Sequence, residues 1–147
     1  MKALVIPRFG GPEVLAWVDR PDPEPGPEDV LVRVRATALN RADLLQRRGR
    51  YPAPPGAPPD IPGLEFAGEV LGGGPRVLER RPGDRVMGIL AGGGHAERVA
   101  IHERLCLPIP PNLGWEEAAA VPEAFLTAFD ALDLQAGVRT GEAVLVP

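Results

Sequence analysis

The sequence is poor in cysteine and has no long apolar run, and each shortage excludes a class of protein. Its single cysteine, Cys106, cannot form an internal disulfide or build a thiolate zinc cage. No apolar run approaches the ~20 residues of a membrane-spanning helix, and the N-terminal run is too short for a signal peptide. We therefore expect a cytoplasmic protein without membrane contact, in which Cys106 is a small apolar residue of a strand-like segment.

Positive charge is also in the minority. The 147 residues include 16 Lys and Arg against 20 Asp and Glu, a net charge of −4. This balance argues against a nucleic-acid surface, because binding a phosphate backbone requires clustered positive charge. The two short basic clusters, at 46–50 and 79–81, are typical of solvated loops. With 44% hydrophobic and 24% charged residues, the composition is that of an ordinary globular domain.

Short strands separated by glycine and proline turns dominate the first part of the chain. In residues 30–39, apolar side chains alternate with arginines, which is typical of a strand with one face in the core. Further strand patterns occur at 1–6, 64–71, 81–90 and 92–110. Such a pattern predicts a mainly β fold, a sandwich or barrel rather than repeated βαβ units.

Helical patterns are confined to two places. Residues 41–49 have paired leucines among charges and end at a glycine, which predicts a two-turn helix. Beyond Asn112, apolar residues at Phe125, Phe129 and Leu132 recur with helical spacing and predict helices. The run at 143–147 then predicts a buried strand.

Three stretches resemble a known family: ALNRADLLQRRGRYP (38–52), PGLEFAGEV (62–70) and AAAVPEAFLTAF (118–129). They closely resemble the medium-chain dehydrogenase/reductase superfamily, in particular its zinc-free, zeta-crystallin-like quinone oxidoreductases. The resemblance covers essentially all of the chain. It implies a GroES-like, partly open β-barrel in residues 1–112. Residues 113–147 would form a helical connection and the first strand of a Rossmann domain that is otherwise missing from the sequence.

The zinc ligands of related enzymes are absent from this sequence. Members with a catalytic zinc resemble this chain but carry a cysteine at the position of Asn40 and a histidine at that of Leu64. Asparagine is a poor zinc ligand and leucine is none. We therefore expect no metal at this site.

The resemblance also implies roles for individual residues. Asn40 would lie near the nicotinamide and the substrate, Tyr51 would line the quinone pocket, and Thr127 would reach the nicotinamide carboxamide. Each also has an ordinary alternative: a helix-capping asparagine, a loop aromatic and a helix-surface threonine. Asp43 and Glu65 match family positions and are assigned to the substrate pocket or to a structural role.

The two histidines have no partner at the spacing of a metal site or a catalytic triad. His95 follows three glycines and His102 precedes a charged segment. We predict that both are exposed loop residues.

The function implied for the whole enzyme is hydride transfer from NADPH to a quinone or an α,β-unsaturated carbonyl. We expect this chain to be inactive alone and to pair with a nucleotide-binding domain or another copy of itself. Two alternatives stay open: a subunit of a split reductase, and a non-catalytic GroES-like binding or assembly module.

Overall fold

The computed structural model describes residues 1–146 of the chain. Seven strands are present: β1 (Lys2–Val5), β2 (Ala16–Asp19), β3 (Asp29–Ala36), β4 (Glu65–Gly73), β5 (Arg85–Ile89), β6 (Arg98–His102) and β7 (Leu107–Pro108). The α-helices are α1 (Arg41–Arg47), α2 (Trp115–Ala119) and α3 (Pro122–Phe129). Two 3₁₀ turns cover Pro12–Val14 and Glu103–Leu105, and a π-helical segment covers Asp130–Gln135. None of these helices has the length and apolar composition needed to cross a membrane.

Five strands form one antiparallel sheet in the order β6-β3-β4-β5-β7. The pairing of β3 with β4 shifts register twice, between Leu31 and Val32 and again between Val34 and Ala36. Such irregularities bend and twist a sheet. Strands β1 and β2 form a separate hairpin-like sheet, which is joined to the rest by a bridge from Ala3 to Ala96. Within residues 1–146 the result is a mainly β fold without a closed barrel.

The main core lies on the inner face of the curved sheet. Val30 and Val32 of β3 are fully buried, as the alternating pattern predicts, and they pack with Phe66 and Val70 of β4. Burying a side chain of this size stabilises the fold by roughly 1.5–3 kcal/mol. In a second cluster, Ala118 and Ala119 of α2 pack against Ala67 of β4 and Met87 of β5. The β prediction for the first part of the chain is therefore confirmed.

The C-terminal segment differs from the prediction. Residues 143–146 have no strand pairing and are exposed, with Leu145 91% accessible. A strand is stabilised by hydrogen bonds to a neighbouring strand, and no described strand lies beside this segment. The predicted strand is therefore absent from residues 143–146, and Pro147 lies outside the described residues. Residues Asp130–Gln135, within the predicted helices, are π-helical.

Cys106 follows the second 3₁₀ turn and is only 1% exposed. It packs in the main core, which confirms the predicted role as a small apolar residue. Burial raises the pKa of its thiol to about 11, although Arg80 acts in the opposite direction. The folded chain therefore holds a protonated, inaccessible thiol.

We expect the Cys106 thiol to resist a disulfide-exchange reagent at pH 8 while the chain is folded. The rise in its pKa from 9.0 to about 11 lowers the thiolate fraction about a hundredfold. Reaction followed by absorbance should be at least that much slower than in denaturant, where one equivalent reacts. Equal rates in the two conditions would show that the thiol is accessible in the folded chain.

Candidate active site around Asn40

A buried carboxylate joins the beginnings of two helices. Glu65, the first residue of β4, is 2% exposed. Its Oε1 accepts a hydrogen bond of 2.8 Å from Asn40 Nδ2, just before α1, and its Oε2 accepts one of 2.8 Å from the Glu123 N–H. The free N–H groups at a helix N-terminus favour negative charge, and Glu123 is the second residue of α3. Glu65 therefore fixes the Asn40 side chain and the first turn of α3.

A second buried carboxylate, that of Asp43, fixes the backbone just before α1 and just before β4. Asp43, in the first turn of α1, accepts the Asn40 backbone N–H at 2.8 Å and the Gly63 N–H at 2.9 Å. The first bond is one half of a capping box. Burial raises the pKa of Asp43, but His95 and these two N–H groups outweigh burial and hold the pKa below its usual value. Asp43 is therefore an ionised structural link between α1 and the turn before β4.

His95 also belongs to this network of buried polar groups. It is only 6% exposed, and its Nδ1 lies 3.2 Å from Thr37 Oγ1, whose hydroxyl donates to the Glu65 carbonyl oxygen at 2.7 Å. The other ring nitrogen, Nε2, lies 3.6 Å from Asp43 Oδ2, too far for a hydrogen bond but close enough for electrostatic contact. The imidazole is therefore enclosed between a hydroxyl and a carboxylate.

The prediction that His95 is exposed is wrong. The glycine turn before it packs against the chain at 61–63, with the Gly94 N–H bonded to the Gly63 carbonyl and the His95 N–H bonded to that of Pro62. Only glycines permit two backbones to approach so closely. His102, by contrast, ends β6 with a side chain 38% exposed, and its Nε2 lies 3.4 Å from a Glu28 carboxylate oxygen.

Glu123 belongs to this site but was not assigned to it from the sequence. Burial, followed by the charges of Glu65 and Asp43, raises the pKa of its carboxyl. Its only signal in the sequence is its place after Pro122, which indicates a helix start and no more. Glu123 therefore joins this site through its backbone N–H on Glu65, and its carboxyl is under the influence of the Glu65 and Asp43 charges.

The other two predicted site residues stand apart from this network. Tyr51 lies in the loop after α1 and is 38% exposed. Thr127 is exposed on α3, four residues after Glu123 and therefore on the same helix face. The structure thus brings Asn40, Asp43 and Glu65 together, and the roles of Tyr51 and Thr127 stay predictions.

An apolar cavity of about 330 Å³ opens on the Thr37 and His95 side of the network. Its wall includes Trp17 and Leu39, which are 67% and 79% exposed. This volume is at the lower end of small-molecule sites. Asn40, although it follows Leu39, is not part of the lining. The cavity is therefore a neighbour of the candidate site and not the same space.

The donor atoms present do not suit a zinc ion. Asn40 already donates its amide to Glu65, and Leu64 is buried and has no ligand atom. Within residues 1–146, no group of three His, Cys, Asp or Glu side chains is arranged to hold a metal. The expectation of a metal-free site continues to rest on the chemistry of Asn40 and Leu64.

Comparison with known proteins identifies the family. The model of the alcohol dehydrogenase GroES-like domain matches residues 26–111, more than half of the chain. The chain belongs to this family. It is similar to the synaptic vesicle membrane protein VAT-1 homolog of Rattus norvegicus, with 38% identity over 99% of the chain and 36% of that protein.

Solved structures support the same assignment for this GroES-like chain. The human synaptic vesicle membrane protein VAT-1 homolog-like protein superposes with a TM-score of 0.89 and 36% identity, over 96% of this chain and 45% of that one. The quinone oxidoreductase of Thermus thermophilus, whose structures include a complex with NADPH, gives a TM-score of 0.77 and 44% identity over 97% and 43%. The predicted membership of the medium-chain dehydrogenase/reductase superfamily is therefore confirmed, and the chain corresponds to the N-terminal part of its relatives, about 36% of the length of the VAT-1 homolog.

We expect alanine at Gly63 to destabilise the chain strongly. Gly63 has φ +108°, and an added Cβ would clash with the backbone nitrogen of His95 and lie 2.8 Å from backbone atoms of Gly94. Urea unfolding should show a loss of about 3 kcal/mol or more. Gly72→Ala is the matched control, because its added Cβ meets nothing within 4 Å and φ is ordinary. Equal losses in both variants would contradict the close packing of these turns.

Asp43→Asn should make the free energy of unfolding depend less on pH in the acidic range. At pH 7 we expect a loss of about 1–3 kcal/mol, because a buried charged acceptor is removed. The pKa of Asp43 is lowered from 3.8 in the folded chain, so wild type keeps this stabilisation above 3.8 and loses it as pH falls through the folded-state pKa. The free energies of unfolding of the two proteins, measured with urea, should therefore converge toward the lowest pH at which both fold. A constant gap, or a similar effect of the exposed control Asp133→Asn, would count against the proposed link.

Proposed function

We propose that the chain is the catalytic-domain portion of an NADPH-dependent oxidoreductase that transfers hydride to a quinone or an α,β-unsaturated carbonyl without a catalytic metal. The observation that carries the proposal is the fixed carboxamide of Asn40, whose Nδ2 lies 2.8 Å from Glu65 Oε1. Asn40 occupies the position at which zinc-containing members have a cysteine. The similarity to a quinone oxidoreductase whose structures include NADPH supports the cofactor and the substrate class.

The side chains fit the nicotinamide end of such a cofactor. Asn40 Nδ2 uses one N–H on Glu65, which leaves its second N–H to meet a ligand. When bound, the cofactor would supply the hydride. Asn40 would orient the reacting rings, Thr127 would meet the carboxamide, and Tyr51 would offer a hydroxyl to the substrate carbonyl.

The same residues do not provide for the phosphates of the cofactor. A phosphate-binding turn lies between a buried strand and a helix N-terminus. Of the glycine-rich segments, 72–75 continues β4 into a turn, and 92–95 packs on 61–63 before β6. Neither opens a helix. We therefore assign the phosphate and adenosine contacts to a nucleotide-binding domain outside these residues.

The division into residues 1–112 and 113–147 is part of this proposal. After β7 the chain changes from strands to helices, and α2 packs on the sheet while most of α3 is exposed. Phe125 and Phe129 are 67% and 54% exposed. An apolar face of this kind supports pairing with a nucleotide-binding domain, either on the same polypeptide or on a separate subunit, or with a second copy.

A fusion experiment tests the proposal. The 147-residue chain alone should show no quinone turnover, and NADPH titrated into it should give no fluorescence change from a bound nicotinamide. Joined to the nucleotide-binding region of the Thermus thermophilus quinone oxidoreductase, it should bind NADPH and reduce quinones or enones. In that fusion, Asn40→Ala should lower kcat/KM about 10- to 100-fold, because it removes a positioning contact.

The control is Asn112→Ala, since Asn112 is the other asparagine and is exposed. It should leave turnover unchanged. A fusion that melts cooperatively and binds NADPH but reduces neither class of substrate would refute the reductase proposal. That result would favour the alternative of a binding or assembly module.

A further inference from the structure

A buried arginine at the end of α1 has no ion-pair partner among residues 1–146. Arg47 is 7% exposed, which corrects the prediction that cluster 46–50 is a solvated loop. Its Nε is buried without a hydrogen-bond partner, and within residues 1–146 no carboxylate pairs with its guanidinium. Burying an unpaired charge is costly, and guanidinium groups at such positions are usually matched by an anion.

Arg47 lines an open cavity of about 590 Å³ together with two further arginines. Arg48 and Arg50 are exposed and take part in no ion pair with the described residues. The rest of the wall comes from Phe9 and the loop Gly10–Pro12, and no acidic residue is part of the lining. Three positive charges thus surround one space in a chain whose net charge is −4.

Two nearby features oppose this positive field. The Glu13 carboxylate accepts the Gly11 N–H at 3.0 Å beside the cavity. The C-terminus of α1 adds roughly half a negative charge. Against three full positive charges, these leave the cavity with a clear positive excess.

We propose that this cavity binds a phosphate-class oxyanion, either free or as the terminal group of a small phosphomonoester. The planar Arg47 guanidinium forms the buried anchor through paired N–H donors, and Arg48 and Arg50 neutralise the remaining charge. Phe9 is 70% exposed and its ring lies over Gly49, so it offers a flat apolar surface to a group attached to the phosphate.

This site is separate from the candidate active site. Arg47 ends the seven-residue helix that Asn40 precedes, which places the two residues roughly 10 Å apart along the helix axis. The inference therefore does not rest on the proposed reductase function. Its test contains neither NADPH nor quinone, so each proposal can fail without the other.

The test is a titration of the 147-residue chain with inorganic phosphate and with phenyl phosphate at constant ionic strength, followed by amide NMR shifts. We expect one saturable site, with shifts centred on residues 9–11 and 47–50. Phenyl phosphate should bind several-fold more tightly, and Phe9→Ala should abolish that difference. The exposed double variant Arg48→Gln/Arg50→Gln should weaken phosphate binding about tenfold or more.

Matched variants make the result decisive. Arg104→Gln removes an exposed arginine elsewhere and should leave binding unchanged. Glu13→Gln should strengthen binding, because it removes the opposing charge. Arg47→Lys should weaken binding while the charge is kept, and if it fails to fold, the exposed double variant still decides. Shifts that do not saturate, or equal losses in the double variant and in Arg104→Gln, would overturn the proposal.

Discussion

The geometry of the candidate site depends on the buried carboxylate of Glu65. No cation pairs with it in the described part of the chain, so neutral donors must compensate for its removal from water. Those donors are the Asn40 side chain and the first turn of α3. A single desolvated group therefore determines both where α3 begins and how the Asn40 amide is turned. Asn40 is preorganised because its position satisfies Glu65, whatever ligand it meets.

A second constraint is the close approach of two turns. Gly63 and Gly94 bring their backbones into direct contact, and this contact encloses His95. Asp43 then meets three groups that are distant in sequence: the N–H groups of Asn40 and Gly63 and the His95 ring. Because partially satisfied buried polar networks are costly, the members of this one stabilise the fold only together. The rigid first turn of α1 is the consequence.

Much of this fold follows from local sequence patterns, and the rest depends on contacts that local patterns do not record. The alternation around Val30 and Val32 predicted a core strand correctly, because side-chain period alone decides which face is buried. The burial of His95 and Arg47 was missed because segments distant in sequence enclose them. The strand expected at 143–147 did not form in 143–146, since strand formation requires a neighbour. Asn40, Asp43 and Glu65 were found through family resemblance, and no local pattern marks Glu123 as their partner.

Asn40, just before α1, and Thr127, on α3, are the two residues proposed to contact the nicotinamide, and the structure holds them unequally. Asn40 is held by Glu65 and by the backbone bond to Asp43, whereas α3 is anchored mainly through its first turn. Beyond that turn α3 exposes Phe125 and Phe129. Apolar side chains on an exposed face favour any surface that covers them. Such a surface would restrain Thr127 as well, so binding of a covering domain and completion of the nicotinamide contacts would be coupled. On this argument, the proposed activity would belong to the assembled protein, while the orientation of Asn40 is already fixed within the GroES-like part.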